Sequence, residues 1–223
     1  MANPTHDVIV FGATSFVGRI LCRYLLGRFG TGGELRWAMA ARSKPRLEEL
    51  RRELGAGAAQ VPLLVADAAD EASLMALAAK ARVIVSTVGP YALYGEPLVK
   101  ICAATGTDYC DLTGEVQWIR RMIDRHEAAA RTSGARIVHC CGFDSIPSDL
   151  GVHFLQRESL KRLGKPCASV KMRVRAMRGG FSGGTVASLM NVVKETAADP
   201  ALRRELQNPY SLCPPDGRPK TRQ

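Results

Sequence analysis

Short apolar runs alternate with stretches of helical periodicity from the first residues of the chain onward. Residues 8–11 form an unbroken apolar run, the pattern of a strand buried on both faces. Val17, Ile20, Leu21, Tyr24 and Leu25 follow and share one face of a helix. Residues 35–41 read as a second strand. Pro45, at home in a helix's first turn, then opens a helix carrying Leu47, Leu50 and Leu54. Further strands are predicted over 61–65, 83–87, 109–112 and 137–139, with helices over 72–81, from Pro97 to Ala104, and over 115–132. Strands alternating with helices imply a mostly parallel sheet with right-handed crossovers. The expected fold is therefore α/β, a Rossmann-type doubly wound sheet.

Beyond Gly142 the rhythm changes. Residues 149–163 and 184–198 look helical, and 169–177 alternate apolar with basic side chains as a half-buried strand would. The expected division is a Rossmann-type domain over 1–147 and the start of a second α/β domain over 148–207. A proline-rich basic tail follows over 208–223. That tail holds Pro209, Pro214, Pro215 and Pro219 and almost nothing apolar after Leu212, so it is expected to be poorly ordered.

Composition adds exclusions. With 46% hydrophobic and 23% charged residues the chain is ordinary for a soluble protein. The uncharged run over 179–193 is too short and glycine-rich for a bilayer, and residues 1–7 lack a secretory pattern. A cytoplasmic location is expected, with peripheral membrane contact left open. Net charge is +10, but residues 1–156 hold 17 basic and 16 acidic side chains, whereas 157–223 hold 14 and 5. That basic block lacks interleaved aromatics and any nucleic-acid motif, so it reads as part of an incomplete domain, with no nucleic-acid partner. The seven cysteines follow no ligand spacing and read as reduced, structural thiols. The four histidines are scattered, and no metal site is expected.

The chemistry concentrates at the head of the first strand–helix unit. Gly12, Ala13, Thr14, Ser15, Phe16, Val17 and Gly18 link strand to helix, with Gly12 allowing a tight turn and Gly18 close packing. The helix N-terminus would offer free N–H groups to a pyrophosphate. Ser15 stands where a third glycine is usual; its side chain is either tolerated or itself holds a phosphate oxygen. An NAD site carries an acid at the end of the second strand, and none occurs between Glu34 and Glu48. Arg42, Ser43 and Lys44 stand there instead, suited to a 2′-phosphate, so NADP(H) is the expected cofactor. Asp67, after the third strand, could accept from the adenine amino group. Ser86, Thr87, Val88, Gly89 and Pro90, after the fourth, would line the ribose and nicotinamide path. Tyr91 and Tyr94 are candidate substrate contacts, though packing competes as their role. No catalytic acid or base can be named. Asp144, Ser145 and Asp149 invite a catalytic reading, but the block reads equally as a helix entry, with Ser148 as cap and Asp149 in the first turn, or as an interdomain hinge.

These residues resemble the saccharopine dehydrogenase-like oxidoreductase family. The likeness rests on Gly12-Ala13-Thr14 with Gly18, on Ala41-Arg42-Ser43, and on Val88-Gly89-Pro90-Tyr91 with Tyr94-Gly95-Glu96-Pro97. It continues through Asp111-Leu112-Thr113-Gly114-Glu115, the block from Gly142 to Gly151, and Ser182-Gly183-Gly184-Thr185. Within the family the chain is most similar to the trans-acting enoyl reductases linked to lipid synthesis. The resemblance implies an NADP-binding domain followed by a second domain that shapes the substrate site, and leaves room for a homodimer through that domain. It also implies hydride transfer to or from a small or lipid-linked enoyl or imine substrate. Family members are longer, which implies that the chain stops within the second domain, where the isolated piece need not turn over. Ser15 departs from the family's glycine. A short-chain dehydrogenase would need Tyr followed four positions later by Lys, which no tyrosine here has. A non-catalytic NADP-loaded scaffold at lipid surfaces is the alternative of a different class.

Overall fold

A computed structural model describes residues 4–214 except 177, 179 and 181. The strands are β1 (His6–Phe11), β2 (Trp37–Ala41), β3 (Leu63–Val65), β4 (Ala81–Ser86), β5 (Asp108–Asp111) and β6 (Ile137–Val138). All pair in parallel, in the order β3-β2-β1-β4-β5-β6. The connections are α1 (Phe16–Phe29), α2 (Lys44–Glu53), α3 (Glu71–Ala78), the short α4 (Tyr91–Tyr94), α5 (Glu96–Thr105) and α6 (Val116–Ser133). The chain builds outward from β1 in one direction and then, from β4, in the other. The crevice at that reversal is where doubly wound sheets bind ligands.

Alternation along the strands fills two cores. Ile9, Phe11, Ala38, Ala40, Ile84 and Tyr109 face Leu74, Leu98, Trp118 and Met122 of α3, α5 and α6. Val10, Met39 and Ala41 point the other way, onto Cys22 and Leu25 of α1 and Leu47 and Leu50 of α2. Among the described residues this second face is covered over β1, β2 and β3, and Val83, Val85 and Cys110 stay half-exposed. Cys22 and Cys102 are buried free thiols, each pushed by burial up to about 12.

Asp7 at the start of β1 is bound by the Arg36 guanidinium and main-chain N–H ahead of β2. Those bonds hold its carboxyl down, at about 2 against an ordinary 3.8. The depressed value means that this stabilisation is present above the ordinary carboxylate range and disappears as pH falls towards 2. For a pair this close to solvent it amounts to about 1 kcal/mol at most. Urea unfolding should show Asp7→Asn less stable than wild type at neutral pH, with the gap closing under acid; a gap independent of pH would contradict the assignment.

The remaining helices are α7 (Ile146–Leu163), α8 (Gly183–Ala198) and α9 (Pro200–Leu206). Asp199 starts α9 by accepting from Ala201 and Leu202 N–H, with Pro200 in the first turn. On α7, Leu150, Val152, Phe154 and Leu155 are all exposed, an apolar circumference rather than a stripe. The strand expected over 169–177 is corrected for its described part. Residues 169–176 pair with nothing, because alternation gives a strand only where a neighbouring edge supplies hydrogen bonds; Met177 lies outside the described residues. Of the tail, residues 208–214 are described. Leu212 packs on the larger core and Ser211 C=O accepts from Arg120, while 215–223 lie outside the described residues. Among the described residues no helix is long and apolar enough to cross a membrane.

Candidate functional site

The β1–α1 turn is built by two glycines for two different reasons. Gly12 has φ +86°, a left-handed conformation, and a Cβ there would lie 2.7 Å from Thr87 Oγ1 and 2.8 Å from Val88 Cγ2. Gly18 has ordinary helical geometry, but a Cβ there would meet the Gly12 carbonyl oxygen and lie 2.8 Å from Ala13 Cα. Its absence lets α1 pass directly over the turn.

Ser15 caps α1, its Oγ accepting from Gly18 N–H at 3.0 Å. Thr87 Oγ1 donates to Gly12 C=O at 2.9 Å, so the 2.9 Å bond between the two hydroxyls takes its proton from Ser15. The Ser15 hydroxyl is thereby committed within the protein. Of the two sequence readings, this arrangement supports the tolerated side chain. Phe16 and Val17, the first two helical residues, have N–H groups with no intrahelical acceptor, and both line a cavity. Ala13 is buried in the smaller core, and Thr14 C=O accepts from Arg19 Nε at 3.3 Å.

At the end of β2, Arg42 and Lys44 are exposed and unpaired among the described residues. Ser43 caps α2, accepting weakly from Arg46 N–H at 3.5 Å, which leaves its proton free to donate. Asp67 follows β3; Oδ1 closes its own turn on Ala69 N–H at 3.0 Å. These four residues border the same carboxyl end of the sheet as the turn.

The loop after β4 borders the cavity, whose volume is about 360 Å³, within the range of small-molecule sites. Thr87, Gly89 and Tyr91 line it, while Ser86, Val88 and Pro90 do not. Ser86 is buried behind the loop, and Val88 packs against the larger core. Tyr91 lines the cavity but is 5% exposed, and its hydroxyl donates to Ser86 C=O at 3.0 Å and accepts from Leu112 N–H at 3.4 Å. Burial pushes this phenol far above the usual tyrosine range, so it is a strut with its ring edge on the cavity, not a proton donor. Tyr94 is 48% exposed and away from the lining, because the single turn of α4 carries it outward.

Residues assigned no role from sequence complete the wall. Glu115 is 3% exposed, and its carboxylate accepts from Tyr91 N–H (2.8 Å), Ala92 N–H (3.0 Å) and Ser188 Oγ (2.8 Å). Ser182, Gly184, Thr185, Ser188, Leu189 and Val192 bring α8 to the cavity opposite Ser15, Phe16 and Val17. Asp144 lines the cavity too, without a hydrogen-bond or ion-pair partner among the described residues. The block around it differs from expectation. Ser145, not Ser148, is the cap of α7 and makes no side-chain cap bond. Ser148 lies inside the helix against Met172 Sδ, whereas Asp149 does sit in the first turn.

Behind the wall, Asp111 is 1% exposed and fully partnered. Oδ2 accepts from Tyr109 OH (2.9 Å) and meets His139 Nδ1 (2.7 Å); Oδ1 accepts from Thr113 N–H (3.1 Å) and Cys140 N–H (3.2 Å). Cys140 has φ 61°, an uncommon conformation for a side-chain-bearing residue, which the bond to Asp111 helps to hold.

Against known proteins, residues 8–138 match the family described as the saccharopine dehydrogenase NADP binding domain. A Mycobacterium tuberculosis protein bearing the provisional name of a trans-acting enoyl reductase is 46% identical over 217 residues, 97% of this chain and 51% of the relative. A Mycobacterium bovis trans-acting enoyl reductase is 42% identical over 212 residues, 95% of this chain and 50% of its own length. The chain thus spans about half the length of these relatives. Among solved structures, apo saccharopine dehydrogenase (L-Glu forming) from Saccharomyces cerevisiae aligns with TM-score 0.50 and 18% identity. That alignment covers 71% of this chain and 32% of the yeast enzyme, and shows the shared fold. With a Rossmann sheet, a glycine turn beneath free amides, cations in place of an acid after β2, and a match over 8–138, the chain belongs to the saccharopine dehydrogenase NADP-binding domain family, and its cofactor is NADP(H).

Proposed function

We propose that the chain is the coenzyme-binding part of an NADP(H)-dependent oxidoreductase acting on a small or lipid-linked enoyl or related substrate. The names of the half-matching relatives support the substrate class. The observation that carries the reading is the pair of unsatisfied N–H groups at Phe16 and Val17, opening on the cavity with Arg42 and Lys44 unpaired at the neighbouring strand end. The coenzyme, when bound, supplies or accepts a hydride equivalent at its nicotinamide ring. The protein's own residues bind and orient it. The turn from Gly12 to Gly18 cradles the pyrophosphate against the positive end of α1. Arg42, Ser43 and Lys44 hold the 2′-phosphate, and the second oxygen of Asp67 is left for the adenine amino group. The loop 86–90 shapes the path towards the nicotinamide, with Thr87 and Gly89 at its surface. The division at 147/148 belongs to the same proposal, the second unit contributing α8 as the far wall.

Arg42→Ala should weaken NADPH binding by about 1.5–3 kcal/mol, the loss of a charged hydrogen bond, and leave NADH binding nearly unchanged. Fluorescence titration of both coenzymes checks this, and equal losses would remove Arg42 from the 2′-phosphate site. Turnover is tested on the full-length protein, by the NADPH absorbance change on offering an enoyl substrate. Tight binding without that change would favour a non-catalytic coenzyme-loaded protein.

A further inference from the structure

Three residues of α8 at helical spacing turn one face towards the Rossmann unit. Ser188 bonds Glu115, Val192 lines the cavity, and Glu195 accepts from Gln117 Nε2 at 3.2 Å and pairs with Arg121 at 3.7 Å. The two hydrogen bonds land at the start of α6, on Glu115 and Gln117, which are almost fully buried, and the ion pair lands one turn further on, at Arg121. A carboxylate as enclosed as that of Glu115 needs its hydrogen bonds filled. Two come from the main chain of Tyr91 and Ala92, immediately after the loop that shapes the cavity, and the third from Ser188. One side chain therefore fixes both the post-β4 loop and α8, some 73 residues further along the chain.

We infer that α8 completes the nicotinamide end of the coenzyme site, with Glu115 as the positioning residue that sets α8 against the post-β4 loop through Ser188. This rests on reading the crevice as the NADP(H) site. The 2′-phosphate and adenine end, at Arg42, Ser43, Lys44 and Asp67, shares no lining residue with α8. The Ser188–Glu115 bond reaches the post-β4 loop, so its loss acts on the nicotinamide half more than on the pyrophosphate, which lies against Phe16 and Val17 across the same cavity. Leu189, beside Ser188 on the cavity surface, gives an independent way to reach that half, because an indole there intrudes on the space while the Ser188 and Glu115 side chains are kept.

The test compares NADPH with 2′-phospho-ADP-ribose, which keeps every group of the coenzyme except the nicotinamide. Binding is read by calorimetry on the chain, with circular dichroism confirming the fold of each variant. Ser188→Ala should weaken NADPH about 5- to 10-fold, the range of one lost hydrogen bond, and weaken 2′-phospho-ADP-ribose clearly less. Ser188→Thr, which keeps the hydroxyl, should restore NADPH binding. Leu189→Trp should also weaken NADPH selectively. Equal weakening of both ligands, or no change in either variant, overturns the inference. If wild type binds neither ligand, the coenzyme reading falls and takes this inference with it. If wild type binds both but the variants do not discriminate, the coenzyme reading stands and the role of α8 is lost.

Discussion

Gly12→Val is expected to abolish binding of NADPH and NADH alike and to destabilise the chain. The backbone at this position lies at φ +86°, where a β-branched residue is strained by about 1–2 kcal/mol. The new side chain must also displace Thr87 and Val88, whose atoms lie 2.7 and 2.8 Å from its Cβ, an overpacking cost of about 1–3 kcal/mol. Thr87 holds the Gly12 carbonyl and the Ser15 hydroxyl, so its displacement unseats the cap of α1 and tilts the Phe16 and Val17 amides off their line. Coenzyme titration and a urea midpoint read the two effects separately. Gly27→Ala is the control on the same helix: its Cβ meets nothing within 4 Å, so binding should persist and stability rise by up to about 1 kcal/mol. Normal binding by Gly12→Val would remove this turn from the site.

Asp111→Ala is expected to cost about 3–5 kcal/mol, as removal of one side of a buried polar cluster does. The substitution strands the Tyr109 hydroxyl, which is fully enclosed, together with the N–H groups of Thr113 and Cys140 and the Nδ1 of His139. The Tyr109 hydroxyl loses its acceptor inside the core, and Cys140 loses the bond that helps keep it left-handed. Equilibrium urea unfolding gives the number; a loss below about 1 kcal/mol would mean that the surroundings relax and the cluster is not structural. Because Asp111 joins the ends of β5 and β6 rather than the coenzyme turn, the affinity of the remaining folded fraction should hold.

The order of elements over 8–138 was legible because each strand carries its own apolar run and each helix its own stripe. The strand order, and with it the reversal between β1 and β4, comes from the structure. Legibility failed where a residue's partner is remote. Nothing in the spacing of Glu115 and Ser188 foretells their bond, and α8 therefore stayed invisible as part of the cavity. Tyr91 looked like a substrate contact because it follows the right strand, yet its depth depends on Trp118 packing 5.4 Å away, ring centre to ring centre. The alternation over 169–176 was real, but period two specifies a face and not a neighbour. The exposed apolar circumference of α7 marks the same boundary, since a pattern tells which side chains seek cover and not what covers them.

The Tyr91 phenol has one more effect. The β4–β5 ladder ends at Ser86 opposite Asp111, and the next amide, that of Leu112, would ordinarily face water. It donates instead to an oxygen whose own proton is given to Ser86 C=O, so an aromatic side chain adds one more rung to the sheet. Hydrogen exchange at Leu112 should consequently follow the opening of α4 rather than fraying of the strands, and the rim of the crevice keeps its shape between one coenzyme and the next.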